Sequence, residues 1–165
     1  MEKESELFRT KQEDYGEKYR EHLFEQYKLY VESTEKISDR RQNANNHFIT
    51  INAALISLIG LSFQTQIFTN FEWARPIIAA VGVLISVIFW FLIHSYKQLN
   101  TAKFDVIHRI EEHLPLSIYR YEWSHPLKKG EDPKVYYPFS HIELLIPWVF
   151  GALYFILGIA FCFAV

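Results

Sequence analysis

Three long stretches of this chain contain no Asp, Glu, Lys or Arg: Gln42–Phe71, Pro76–Tyr96 and Leu144–Val165. A helix needs about 20 mainly apolar residues to cross a bilayer core, and each stretch is long enough. With 165 residues the chain is one domain on length alone. Its charges do not recur every few residues, as in a soluble domain. They are gathered in residues 1–41 and 97–143. The mean hydropathy of -0.03 averages these two unlike parts. The expected fold is an all-α membrane protein. It has three transmembrane helices, a long amphipathic N-terminal helix, and a cytoplasmic segment between the second and third spans.

The expected boundaries are an amphipathic helix over 1–46, a first span over 47–68, an outer turn over 69–75 and a second span over 76–95. A helix and aromatic-rich loop over 96–141 precede a third span over 142–165. Met1–Arg20 is charged throughout and lacks the apolar core of a signal peptide. The first apolar block therefore reads as an uncleaved anchor. Residues 1–46 carry nine Lys or Arg, the short turn carries only Arg75, and 97–141 carries seven. The positive-inside rule then places both charged regions in the cytoplasm and the C-terminus outward. A formal net charge of -2 argues against a nucleic-acid partner.

Residues 5–46 contain no proline and one glycine, Gly16, and read as a single helix. Tyr19, Leu23, Tyr27, Tyr30, Thr34, Ile37 and Arg41 recur at spacings of three and four, on one face. That face needs a partner. The middle segment and the same helix of a neighbouring subunit are both available. Tyr stands where a coiled coil would carry Leu or Ile. In the first span, Asn52 lies about a turn inside, and Gln64 and Gln66 lie near the outer end. Amides at membrane depth tend to face other helices.

Pro76 suits the first turn of the second span. Pro115 should stop its continuation. Lys128–Pro133 is a turn signal within an aromatic-rich stretch that reads as either a hairpin or a surface loop. Ser140-His141-Ile142-Glu143 matches a capping box that would start the third span. Cys162, the single cysteine, reads as a small buried thiol.

No catalytic pattern emerges. His108 and His113 stand five apart, about 140° around a helix, whereas zinc motifs of the H-E-x-x-H type need four. The stretch His108–His113 instead reads as a solvated face with a His108–Glu112 pair. His47, His94 and His141 fall at predicted membrane boundaries, as ordinary boundary residues or as a pH sensor. No charged residue lies inside a span, where pumps and coupled transporters usually place one. We expect no enzyme activity, no cofactor and no bound metal, and leave any small-molecule ligand open. Small residues recur on each span: Ala53, Ser57 and Gly60; Ala79, Gly82 and Ser86; Gly151 and Gly158. Such residues let helices approach closely in lipid. A unit this small hardly buries its own faces, so self-assembly is expected.

Two stretches resemble a known family. One runs over Glu21–Asn52 and includes Glu-Gln-Tyr-Lys-Leu-Tyr-Val-Glu at 25–32, Ile37–Gln42, and Ala44–Phe48 leading into Thr50-Ile51-Asn52. The other is Tyr137–Glu143 followed by Ile146-Pro147-Trp148. With the helix from Lys103 to Pro115 between them, they resemble the RipA family of octameric bacterial membrane proteins. The resemblance implies an inner-membrane protein that forms a ring of eight, and it supplies no catalytic residues. On this reading the chain is a non-enzymatic homo-oligomer with a scaffold or assembly role. A channel or pore, or a membrane-acting defence effector, is the alternative. Leu23, Tyr27, Tyr30 and Ile37 would form a collar. Arg40, Arg41, Asn43, Asn45, Asn46 and Asn52 would sit at subunit contacts or a central opening, with Gln64 and Gln66 as further lining groups.

Overall fold

The computed structural model describes residues 7–64 and 73–163; the side chains of Gln64, Ser140 and His141 fall outside that description. Among the described residues, three helices are long and apolar enough to cross a membrane. Helix α1 (Gln12–Tyr15) is a single turn ahead of α2 (Tyr19–Gln64). Helix α3 (Ala74–Glu111) is followed by α4 (Ile118–Ser124), a 3-10 turn at Lys128–Gly130, and α5 (Phe139–Phe163). No strand occurs among the described residues.

The expected single helix over 5–46 is interrupted. Gly16 adopts φ 92, a left-handed conformation that other residues enter at a steric cost. The chain re-enters a helix only at Tyr19. From there α2 runs 46 residues without a break. At about 1.5 Å per residue that is roughly 70 Å, more than twice the hydrocarbon thickness of about 30 Å. The charged half of α2 must therefore project beyond the bilayer. The 38 residues of α3 also exceed a crossing, and its C-terminal half projects at the same end, against the charged half of α2. Its helix ends at Glu111, four residues before Pro115. The stretch after Leu116 is neither hairpin nor plain loop, because α4 and the 3-10 turn occupy it. The turn signal holds: Lys128, Lys129 and Gly130 all have positive φ.

Helix α3 is the hub, packing against both α2 and α5. Two clusters form the core of the span region. Phe48, Phe89 and Ile93 lie towards the charged end, with the Phe48 and Phe89 rings stacked at 3.9 Å. Ile59, Ala79, Tyr154 and Phe161 lie towards the other end. There the guanidinium of Arg75 donates to Ser62 O at 2.8 Å and lies over the Phe63 ring. A cation thus meets a backbone carbonyl near the end of the described part of α2. The outer faces of the spans are apolar: Leu84, Phe91, Val149 and Phe155 are all exposed. A soluble core would bury these side chains, whereas lipid solvates them.

Candidate functional site

At the charged end, the stripe on α2 packs against its own chain. Tyr27 Oη donates to Glu111 Oε1 at 3.1 Å. Lys103 Nζ donates to Ser33 Oγ at 3.0 Å and lies 4.4 Å from the centre of the Tyr30 ring. Thr34 is buried. Within the protomer this face meets the middle segment. Glu111 is fully buried and also accepts from the backbone N–H of Tyr119 (2.9 Å) and Arg120 (3.0 Å). One carboxylate thereby receives open N–H groups of the first turn of α4, and those donors need an acceptor wherever water is excluded. Burial, then the hydrogen bond to Glu111, pushes the Tyr27 hydroxyl well above its ordinary range. The charged face expected over 108–113 is thus only partly solvated. Glu112 pairs with Arg120, not with His108.

Near the membrane boundary, Asn45 Nδ2 donates to Glu143 Oε1 at 2.7 Å. Arg41 Nε stands 3.4 Å from Glu143 Oε2. Asn45 and Glu143 are both buried. The serine half of the expected capping box lies outside the described side chains, and the Glu143 carboxylate is engaged in this contact. A carboxylate at the membrane boundary gains more from a cation and an amide donor than from one backbone N–H, and α5 starts a residue before Ser140. Deeper in, Asn52 Nδ2 donates to Phe48 O at 2.7 Å, and Asn52 O accepts from Tyr154 Oη at 3.2 Å. The Tyr154 ring lies flat against Gly82, where a Cβ would come within 2.5 Å of Cγ. Asn52, Gly82 and Tyr154 thus join all three spans at one point.

The profile of the octameric membrane protein family (8xMP) matches residues 24–163. The chain belongs to this family. The match does not extend to the narrower RipA name. Among curated proteins and solved structures nothing matches.

For a member of the octameric family, self-association in a membrane follows. Several residues expected at subunit contacts or a central opening instead lie inside the protomer. Asn45 and Asn52 are buried, and Arg41 is largely covered and held by Glu143. Leu23, Tyr27, Tyr30 and Ile37 are half-buried against their own chain's folds, while Arg40, Asn43 and Asn46 are exposed. The Gln64 side chain and all of Gln66 lie outside the described residues.

The small residues divide cleanly. Ala79, Gly82 and Ser86 are buried against α5, where Gly151 faces Ser86 and Gly158 faces Ala79. Ala53, Ser57 and Gly60 are exposed, and a Cβ on Gly60 would meet nothing within 4 Å. Together with Asn46 and Thr50 they form a narrow face opposite the buried side of α2. Cys162, expected to be buried, is exposed on the protomer.

Sequence reasoning missed Tyr154, and it gave Glu143 only a capping role and Glu111 only a place on a solvated face. A signal for Glu143 was present: the two stretches that carry the family resemblance contain Arg41 with Asn45 and Glu143. The structure joins those stretches directly.

Proposed function

We propose that this chain is a non-enzymatic subunit of an octameric ring in a bacterial inner membrane, with a scaffold or assembly role. Its first span meets neighbouring copies through Asn46, Thr50, Ala53, Ser57 and Gly60. The charged half of α2 and residues 97–141 form a cytoplasmic collar, and the C-terminus faces outward. The positive-inside bias supports that orientation. The observation that carries the reading is the unpartnered small face of α2. Lipid-facing helix surfaces favour bulky apolar side chains, while small residues favour close helix contact.

The same face supports a dry contact over a water-filled lumen. Thr50 Oγ1 donates to Asn46 O at 2.9 Å and Ser57 Oγ to Ala53 O at 2.8 Å, so each hydroxyl has used its proton on its own helix. The amide set that could have lined an aqueous path is reduced, because Asn45 and Asn52 are enclosed. Native mass spectrometry of the detergent-solubilised protein tests the contact. Gly60→Leu should convert octamers to smaller species, and an octamer that tolerates both Gly60→Leu and Ser57→Leu would refute it. Planar-bilayer recording should show no ion current. Sustained single-channel currents would favour the pore.

A further inference from the structure

Below the end of the second span, α3 and the aromatic segment form an open pocket of about 350 Å³. That is within the size range of small-molecule sites, about 300–1,000 Å³. Its walls are aromatic. Phe104 and Tyr119 meet edge to face at 5.8 Å, and Trp123 and Tyr136 at 6.5 Å. Its charges are of one sign: Asp105 and Glu122 line it, and no Lys or Arg does. Burial first, then the carboxylates of Glu35, Glu111 and Glu122, push the Tyr119 hydroxyl above the ordinary range; of these three only Glu122 lines the pocket.

Two polar atoms in the pocket lining are buried without a hydrogen-bond partner: His108 Nε2 and Asn100 Oδ1. A buried polar group without a partner is costly and rare. With the histidine proton on Nδ1, Nε2 is an acceptor, as Oδ1 always is. Both therefore call for a donor. Among the described residues, no group of three His, Cys, Asp or Glu gathers closely enough to hold a metal ion.

We propose that this pocket binds a small organic ammonium group that carries N–H donors. The aromatic faces attract the cation through their quadrupoles, and the two carboxylates attract its charge. Its N–H groups satisfy His108 Nε2 and Asn100 Oδ1. Asn100 lies four residues beyond Tyr96, about 6 Å along the helix. An aqueous amine and the ammonium of a phosphatidylethanolamine headgroup share this chemistry and can both reach it.

Titration calorimetry on the full-length assembly in phosphatidylcholine nanodiscs tests the site, with putrescine as probe. Saturable binding at one site per subunit is expected, with no binding of the neutral isostere 1,4-butanediol. Asp105→Asn and Trp123→Leu should each weaken putrescine by about tenfold or more, with the oligomer unchanged by native mass spectrometry. Asp105 is exposed, so its substitution leaves the packing intact. Absence of saturable putrescine binding, equal binding of butanediol, or undiminished binding to Asp105→Asn would overturn the proposal. A second titration in phosphatidylethanolamine nanodiscs separates the sources. Weaker apparent putrescine affinity there identifies the headgroup as the occupant, and equal affinity identifies a free amine.

Discussion

Replacing Gly82 by alanine should loosen the junction of all three spans. The added Cβ would stand 2.5 Å from Tyr154 Cγ and 2.6 Å from both Cδ atoms. Those atoms belong to a rigid ring with no exposed surface, so the ring cannot simply swing away. Overpacking of this kind costs about 1–3 kcal/mol. If Tyr154 shifts, its hydrogen bond to Asn52 O is also lost, at about 1 kcal/mol. Alanine regains about 1 kcal/mol in helix propensity, leaving a net loss of about 1–3 kcal/mol. For a chain of this size that corresponds to a fall of roughly 3–10 °C in the unfolding midpoint, readable by intrinsic fluorescence in detergent. Gly158→Ala is the matched control. Its Cβ would meet Ala79 Cβ at 3.6 Å, an ordinary contact, and the midpoint should hold. Tyr154→Leu removes the ring, so Gly82→Ala should cost much less in that background. An unchanged midpoint in Gly82→Ala, or costs that add independently in the double variant, would refute the reasoning.

Glu143→Ala should cost about 3 kcal/mol, the low end for breaking a buried ion pair because Arg41 keeps some access to water; an unfolding midpoint equal to the wild type would count against the cluster. Removing the Tyr27 hydroxyl as Tyr27→Phe should lower stability by about 1 kcal/mol, measured by denaturant titration at pH 7. The folded state raises the Tyr27 value above 10.0, so its stabilisation is complete below pH 10 and is lost as pH rises beyond it. Wild type and Tyr27→Phe should therefore converge in stability above pH 10, and a gap that persists there would contradict the assignment. Gly60→Leu should leave the protomer's helix content intact by circular dichroism while shrinking the assembly.

The three spans are legible because solvation by lipid excludes charge over a whole crossing, and that exclusion is written locally along the chain. Which small residues pack within the protomer is not local. Ala53, Ser57 and Gly60 recur at intervals of four and three, and Ala79, Gly82 and Ser86 at three and four, yet only the second set meets another helix of its own chain. The reading of Ser140–Glu143 as a cap follows a real local pattern, but Asn45 lies 98 residues away and offers Glu143 a better partner. Glu111 looks solvated in a run of charged residues. It is buried because the first turn of α4 needs an acceptor there. The break at Gly16 rests on one backbone conformation that glycine permits and does not require.

A cryo-EM reconstruction of the purified assembly measures subunit number and helix order together. Eight copies are expected, each with the Ser57–Gly60 face of its first span against a neighbouring subunit. A monomer, or a ring whose first spans turn that face to the surrounding lipid, would contradict the account.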